Sequence, residues 1–575
     1  MTSSEADLVV IALPGVQRLI SEAQSTADVH AGSQIVASLA AVAATRVREQ
    51  GAELVIPATE QAEGMPNRVV ALAPRGRGAD LAHQAVEAVR ESWRGHLAEL
   101  FPDPPATPGM PGVVWVCVPD EGQGYPAQWA RAHKLLAARR RIRDFDHQEW
   151  AGREICALSP RWPAEAVPPA RLKEHERAAL SAVNWVKRRW RTRPDGERFP
   201  STPSIASAPF RRDVLKLAHG DGESAAQINS AIEALYHAES AMGGSRETRV
   251  SGLPTGTTSA TEWFSRSGGP WVYPERWQAS TLARDTGREA SALIPLVNAG
   301  RAALQQLIEL ARGSGLSPPR TYLAIIVQDL DGMGRFLAGE GQDAGGAVLD
   351  VQPQRHREVS ELLGTLGGSQ TQRLRSDDLL GVPVYAGGDD LLAFTPAPSA
   401  LAAAQACHDL IPAELPTAST AVVFFHYHAG LQTALTHARQ LLERAKQLVD
   451  GKHALAVSYL RRSGVSDASI HPWSLCGGRS AAAALQVFTR SARHPLSPRL
   501  VADLERDHTE LATLHRQTHR AELLRLVRRH LGGMVDGQAD AAREVTSALL
   551  QLGGEDMKNL VHAARVGVFL RQEAL

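Results

Sequence analysis

Residues 382–394 constrain the fold more than any other part of the chain, because two apolar runs flank the sequence Gly-Gly-Asp-Asp. Gly387 and Gly388 free the backbone for a tight turn, and a turn between two apolar runs predicts a β-hairpin. Asp389 and Asp390 then project from its tip. The sequence therefore predicts an antiparallel sheet that carries two adjacent carboxylates at one end.

A second acidic strand end lies upstream. The apolar run within residues 322–336 ends in Asp329 and Asp331, which Gly332 and Gly334 follow. If both strand ends meet in one sheet, the predicted ligands of a pair of Mg²⁺ (or Mn²⁺) ions are Asp329, Asp331, Asp389 and Asp390. Paired hard cations suit phosphoryl transfer, where one activates the attacking hydroxyl and the other neutralises charge on a nucleoside triphosphate. The pattern is typical of a nucleotide cyclase or polymerase palm.

Two simpler interpretations stay open at this point. Taken alone, Gly-Gly-Asp-Asp is common turn chemistry. Asp331 adjoins Gly332 at the strand end and can simply cap the turn, which makes it the weaker ligand candidate. The second acidic strand end is what favours the catalytic interpretation.

Five segments occur in the order found in the large, polymerase-like subunit of type III CRISPR effector complexes, and the chain resembles that family in its Cmr type. They are residues 329–339, 387–390, 418–432, 434–446 and 451–464. Near the N-terminus, residues 9–20, the His-Ala-Gly-Ser sequence at 30–33 and the Met-Pro-Asn-Arg sequence at 65–68 resemble the start of the family's first palm. The likeness is strongest between residues 320 and 465.

The resemblance implies an α+β fold with two ferredoxin-like palm domains and additional helical domains. A length of 575 residues agrees with three to five domains. The predicted division is a first palm at residues 1–165, a mainly helical inter-palm domain with a degenerate zinc knuckle at 166–318, a second palm at 319–472 and a C-terminal helical domain at 473–575.

The resemblance also implies an activity: Mg²⁺-dependent synthesis of cyclic oligoadenylate from ATP, switched on by target RNA. Asp329, Asp389 and Asp390 are the implied catalytic residues. The residues expected to contact nucleotide are Gly387, Gly388, Lys446, Lys452 and Ser33. For the two lysines, the alternative is a solvated position at a helix end.

The chain departs from the family in two places. Full-length relatives carry an N-terminal HD nuclease domain, and the one His-Asp pair here, His408-Asp409, lies in an alanine-rich helical segment. We therefore expect no HD nuclease activity. The family's cysteine knuckle is also missing, because the chain has only 4 scattered cysteines, and residues 236–247 retain only His237 as an obvious ligand. We expect no structural zinc.

Charge and hydropathy limit the partners. The 62 basic and 62 acidic residues give zero net charge, which argues against independent, non-specific nucleic-acid binding. The expected partners are therefore the backbone, small helical and guide-end-capping subunits of a type III complex, with guide and target RNA held inside it. Basic clusters at residues 131–143 and 187–193 could contact RNA or be solvated helix faces. No apolar run reaches the roughly 20 residues that span a bilayer, and the scattered cysteines fit a reducing cytoplasm.

Two rival functions belong to other classes. A stand-alone cyclase or polymerase acting on GTP is disfavoured, because the hairpin ends in Asp-Asp and a second palm-like domain precedes it. A non-catalytic scaffold subunit is disfavoured because a purely structural hairpin has no need to crowd like charges at its tip.

Overall fold

The computed structural model of the chain describes residues 6–59, 64–142, 150, 152–166, 178–190, 199–243, 247–461, 464, 466–489, 495–532, 537–554 and 556–573. Within these ranges, no helix is both long enough and apolar enough to cross a lipid bilayer. All four cysteines are free thiols.

The first sheet is antiparallel and has four strands in the order β2-β3-β1-β4. Its strands are β1 (Ala6–Ala12), β2 (Glu53–Ile56), β3 (Arg68–Pro74) and β4 (Val114–Val118). Its helices are α1 (Val16–Ser21), α2 (Thr26–Glu49), α3 (Gly78–Ala98) and α4 (Tyr125–Arg139). Ser25 and Asp28 begin α2 with a capping box. The βαββαβ chain order and this strand order confirm the first ferredoxin-like palm.

Helices fill the region between the palms. They are α5 (Ala182–Trp190), α6 (Thr202–Ala206), α7 (Ala208–Ala218), α8 (Glu223–Ser240), α9 (Ser259–Arg266), α10 (Ala279–Thr286) and α11 (Ala290–Gly313). Arg211 is fully buried among them and donates to the backbone carbonyls of Ser204, Phe264 and Ser265. Its charge is thus stabilised by backbone dipoles from two helices.

The second sheet has six strands in the order β10-β9-β8-β5-β7-β6. They are β5 (Tyr322–Leu330), β6 (Val382–Gly387), β7 (Asp390–Pro396), β8 (Ala418–His426), β9 (Ala454–Leu460) and β10 (Ser466–Pro472). The helices are α12 (Met333–Leu337), α13 (Pro353–Leu374), α14 (Ala400–Asp409) and α15 (Leu431–Leu448). Strands β5 to β8 repeat the order of the first sheet, which confirms the second ferredoxin-like palm, and β9 adds a parallel strand beside β8.

The chain ends in a helical domain. Its helices are α16 (Ala481–Gln486), α17 (Arg499–Thr513), α18 (Arg516–His530), α19 (Gln538–Gly553) and α20 (Met557–Glu573). Residues of α20 such as Phe569 pack with Tyr322 and Phe424 on one face of the second sheet. The other face packs against α15 and the inter-palm helices. The second palm is therefore covered on both faces, which explains its nearly unbroken apolar strands.

A shared apolar core joins the two palms. Trp129 of α4 and Val359 of α13 belong to the same cluster of buried side chains. His356, which is fully buried, packs against Trp129 with ring centroids 4.0 Å apart and the rings tilted by 45°. Its Nδ1 lies 2.8 Å from the Tyr125 hydroxyl and its Nε2 lies 2.9 Å from the Leu337 carbonyl. A neutral imidazole satisfies both contacts, accepting from the hydroxyl and donating to the carbonyl.

Helix α5 differs from the sequence-based expectation. Lys187 is buried and its Nζ donates to the backbone carbonyls of Leu19, at 2.7 Å, and Glu22 at the end of α1, while Arg188 forms a buried ion pair with Asp28 at 3.0 Å. These two side chains are therefore not free to contact RNA, because helix-end carbonyls and a carboxylate occupy them. Residues 191–193 of that cluster lie outside the described residues.

Helix α5 also packs against the first palm. Val183 and Trp185 are buried in the core of the first palm, together with Ile35 of α2 and Trp93 of α3. Helix α5 therefore packs with the first palm although it lies beyond residue 165, and the domain division stays a prediction.

Candidate active site

The hairpin turn consists of Gly388 and Asp389, because Gly387 and Asp390 form the last pair of the β6–β7 ladder. Gly388 has a φ of +63°, a left-handed conformation that favours glycine. Strand β7 pairs in turn with β5, and this pairing places Asp390 directly opposite Asp329. Residues that face each other across an antiparallel pair share one side of the sheet. The structure thus brings the two predicted acidic strand ends together.

Asp329 and Asp390 are partly buried, and Asp389 is exposed at the tip of the hairpin. The Asp389 side chain opens to a cleft, yet the surrounding protein desolvates it, and this effect together with the charge of Asp329 raises its pKa. Desolvation also raises the pKa of Asp390 well above its usual value, and the neighbouring charge of Asp389 adds to the shift. Carboxylates gathered in this way leave an excess of negative charge, which a bound cation would relieve.

Lys446 supplies a positive charge at the site. Its Nζ forms an ion pair with the Asp329 carboxylate. Burial alone would lower the pKa of Lys446, but the Asp329 carboxylate outweighs that effect and raises it. Of the two predicted lysines, this one lies at the acidic strand ends, since its charge also acts on Asp389 and Asp390.

Asp331 and Lys452 occupy a separate place. The Asp331 carboxylate accepts hydrogen bonds from the Ser419 hydroxyl, at 2.9 Å, and from the backbone N–H of His453, also at 2.9 Å. Lys452 precedes that residue in the turn before β9, with a φ of +62°. Asp331 therefore stabilises the turn in this structure, as the alternative interpretation of its position beside Gly332 anticipated, and its charge also acts on Lys446.

The first palm forms the opposite wall of the cleft. The backbone of Gly64 touches the hairpin so closely that a Cβ on Gly387 would stand 2.3 Å from the Gly64 carbonyl oxygen. Ser33 and His30 of α2 line this cleft, of about 120 Å³, together with Asp389 and Asp390. The predicted nucleotide contact Ser33 therefore lies beside the acidic hairpin, although its role stays a prediction.

A further hydrogen-bond network links the palms, and sequence reasoning missed it. The Gln17 side-chain amide donates to Asp390, at 3.3 Å, and to the Tyr385 hydroxyl, at 3.4 Å. Arg439 of α15 donates to the Gln17 carbonyl at 2.6 Å. Burial, followed by the charge of Asp390, raises the pKa of Tyr385, which therefore stays a neutral hydroxyl.

Sequence motifs contain these three residues but do not show that their side chains interact. Gln17 lies within the first-palm motif at residues 9–20, Tyr385 within residues 382–394, and Arg439 within residues 434–446. Nothing in the sequence indicates that they meet, because Gln17 and Asp390 are 373 positions apart.

The donor set suits a hard divalent cation, since Asp329, Asp389 and Asp390 offer only carboxylate oxygens. Within the described ranges, no three His, Cys, Asp or Glu side chains are already arranged as a coordination group. To hold an ion, Asp329 would release Lys446 and bind the metal instead. Asp390 would likewise release the Gln17 amide. The residues therefore fit the ion in chemistry and position, with side-chain rearrangement.

The two histidines that the sequence analysis discounted as zinc or nuclease ligands lie in helices. His237 at the former knuckle pairs with Glu233 at 3.7 Å on an exposed helix face, and residues 244–246 of that segment lie outside the described residues. His408 stacks on Trp473 with ring centroids 4.1 Å apart, and its Nε2 lies 2.8 Å from the same atom of His453. Both observations agree with structural roles.

Two protein families match parts of the chain. Residues 322–456 match "Cas10/Cmr2, second palm domain" and residues 8–145 match "CRISPR-associated protein Cmr2, N-terminal". The CRISPR system Cmr subunit Cmr2 of Pyrococcus furiosus is 31% identical over 184 residues, which cover 28% of this chain and 21% of that protein. The aligned part thus spans about a fifth of that relative's length.

Two solved structures share the fold. A type III-B Cmr-beta structure in the apo state matches with a TM-score of 0.59 and 12% identity, covering 96% of this chain and 82% of the other. The Cmr-beta structure bound to cognate target RNA matches with a TM-score of 0.58 and 14% identity, covering 96% and 83%. The fold and the acidic hairpin define a protein with paired palms of the nucleotide cyclase and polymerase type. More particularly, the matched segments are those of a Cmr2-type subunit, because one resembles the second palm of Cas10/Cmr2 and the other the N-terminal region of Cmr2.

Proposed function

We propose that this chain is the large subunit of a type III-B-like CRISPR RNA-guided complex and that it synthesises cyclic oligoadenylate from ATP when target RNA is bound. The observation that carries the proposal is the pairing of Asp329 with Asp390 at one end of the sheet. Asp389 adjoins this pair, and the first palm closes the cleft in front of it.

The reaction joins two ATP molecules. The 3′ oxygen of one attacks the α-phosphorus of the other, a phosphodiester forms, and pyrophosphate leaves with the electron pair of the broken P–O bond; the hydroxyl proton passes to solvent or base. Repetition and a final closure of the chain on itself give the cyclic product. Bound Mg²⁺ would supply activation of the hydroxyl and neutralisation of phosphate charge.

The chain's own residues would bind the metal ions and orient the two ATP molecules. Asp329, Asp389 and Asp390 would hold the metal ions. Lys446, once its carboxylate partner Asp329 binds a metal ion, would hold triphosphate oxygens as a point charge. Ser33, which lines the facing wall of the cleft, would contact the acceptor nucleotide. Orientation of this kind converts a bimolecular reaction into an effectively intramolecular one.

The cleft lies between two palms, so its geometry depends on their relative placement. Target RNA would act by biasing that placement, since a ligand shifts an equilibrium only through unequal binding to its states. The Gly64 contact and the Gln17 hydrogen bonds are the points at which a shift of the first palm reaches the hairpin.

The test is reconstitution with the guide-RNA complex, matched target RNA, radiolabelled ATP and Mg²⁺. We expect wild type to form oligoadenylate and Asp389→Ala/Asp390→Ala to form none. The matched control is Asp377→Ala/Asp378→Ala, which removes another Asp-Asp pair; the Asp378 side chain is 57% exposed and bonds to Arg373 and to the Ser376 hydroxyl. No product from wild type with target RNA verifiably bound would favour the non-catalytic scaffold. Product with GTP alone would favour the stand-alone cyclase.

A further inference from the structure

Arg68 of the Met-Pro-Asn-Arg segment lies on the side of the first sheet that faces the second palm. It begins β3, two residues before Val70, which belongs to the apolar core shared by both palms. Side chains two positions apart in a strand share one face of the sheet. Leu330 belongs to the same core, and its backbone N–H donates to the Asp389 carbonyl at 3.0 Å. The first palm therefore brings a basic side chain into the neighbourhood of the acidic hairpin.

Helix α4 holds this side chain in place. Nη1 of Arg68 lies 3.2 Å from Nε2 of His133, whose Nδ1 lies 3.0 Å from the Trp129 carbonyl oxygen. A guanidinium only donates and a carbonyl only accepts, so both contacts fit a neutral imidazole that carries its proton on Nδ1. Burial lowers the pKa of His133, in agreement with the neutral form. His133 thus fixes the guanidinium without neutralising its charge.

The charge of Arg68 acts on the hairpin. Desolvation and the charge of Asp329 raise the pKa of Asp389, and the guanidinium opposes both effects. Burial likewise lowers the pKa of Arg68, and the Asp389 carboxylate opposes that effect. The two groups therefore stabilise each other's charged forms across the contact between the palms.

The other two carboxylates have basic neighbours on α15. Lys446 forms the ion pair with Asp329. Arg439 precedes it by seven positions, about two helical turns, and so lies on the same face of the helix. Burial lowers the pKa of Arg439, and the charge of Asp390 opposes that effect. Each predicted metal ligand is thus accompanied by a basic group, and for Asp389 that group, Arg68, comes from the first palm.

We propose that Arg68 sets the affinity of the acidic hairpin for divalent cations, so that metal ions bind together with the nucleotide rather than before it. The inference rests on the proposed function and names the order in which that site fills. The three basic groups offset part of the negative charge of the carboxylates and repel an incoming cation. A triphosphate brings several negative charges, which engage the basic groups and supply further oxygen ligands.

The test measures Mn²⁺ binding to the full chain without turnover. Arg68→Gln removes the charge, while the glutamine amide can still donate to His133. Arg68→Lys keeps the charge. Arg131→Gln is the matched control, because Arg131 lies on α4, is exposed and pairs with Glu121 at 3.3 Å. Thermal unfolding of each variant checks that the fold is retained.

Even in a water-like dielectric, a unit charge about 8 Å from a divalent ion changes the affinity for that ion about fivefold. We therefore expect Arg68→Gln to bind Mn²⁺ at least about fivefold more tightly than wild type, and the other two variants to bind it like wild type. Unchanged binding by Arg68→Gln overturns the inference. Weaker binding also overturns it, because the guanidinium would then only hold the hairpin in place.

A second measurement needs no substitution. Mn²⁺ is titrated into wild type with and without α,β-methylene-ATP, and Mn²⁺ bound by the free analogue is measured separately. We expect the analogue to tighten Mn²⁺ binding by the chain at least about tenfold, and Arg68→Gln to lose most of this difference. No tightening in wild type overturns the inference. Because nothing turns over, these outcomes hold whether or not wild type synthesises oligoadenylate, so the inference and the proposed function fail separately.

Discussion

Substitution of Gly387 by alanine tests whether the first palm controls the hairpin through backbone contact. The added Cβ would stand 2.3 Å from the Gly64 carbonyl oxygen and 2.5 Å from its Cα. Both neighbours are backbone atoms, so no side chain can rotate away. Overpacking of this kind costs about 1–3 kcal/mol, and we expect the free energy of unfolding to fall by that amount.

The same clash predicts a kinetic effect. Ordinary contact begins at 3.4 Å, so the hairpin and the first palm must separate by about 1 Å, and a misplacement of about 1 Å in an active site costs roughly 100-fold in rate. The assays are urea unfolding of the isolated chain and initial rates of oligoadenylate formation in the reconstituted complex.

Gly388→Asn is the control for strain without a clash. Gly388 has a left-handed φ of +63°, and a Cβ there would meet only Pro66, at 3.8 Å. Asparagine tolerates this conformation at a cost below the roughly 1–2 kcal/mol of other residues. We expect a small loss of stability and a rate much nearer to wild type. Equal rates for the two variants, or a wild-type rate for Gly387→Ala, would refute the contact argument.

Three further predictions concern contacts between secondary-structure elements. Burial lowers the pKa of His356 to about 4, so only the unfolded chain takes up this proton between pH 6.5 and 4. The free energy of unfolding therefore decreases as the pH is lowered through that range. In urea titrations, His356→Gln should remove about 2 kcal/mol of the stability loss between pH 7 and pH 5. Gln17→Ala should lower the synthesis rate about tenfold with little change in Tm, whereas its exposed neighbour in Arg18→Ala should change neither. Lys187→Met should cost about 2–4 kcal/mol by leaving two buried carbonyls unpaired, against roughly 0.5 kcal/mol or less for Arg189→Ala in thermal unfolding.

Much of the fold and the acidic part of the candidate site were predictable from local sequence patterns. The hairpin was predictable because Gly388 needs a conformation that few residues adopt and because β-strands flank it on both sides. The partner strand was predictable from the apolar run before Asp329. Both signals lie within a few residues of the feature that they specify.

The contacts that individual side chains make were not predictable in the same way. The charges around Lys187 look like a solvated helix face in the sequence, and only the packing of α5 on α1 and α2 puts helix-end carbonyls and Asp28 opposite them. The contact of Gln17 with Asp390 likewise depends on how two separate sheets are placed. Such contacts are decided by tertiary packing, which no local pattern encodes.

Strand length cannot tune the separation of the acidic residues gradually. Side chains alternate between the faces of a sheet, so inserting or deleting one residue in β7 beyond its turn would carry Asp390 to the face opposite Asp329. A change of two residues would restore the face but move the carboxylate by roughly 6.5 Å along the ladder. Viable variation among homologues should therefore accumulate in the α13 face and the first-palm wall, while the spacing of the hairpin stays invariant.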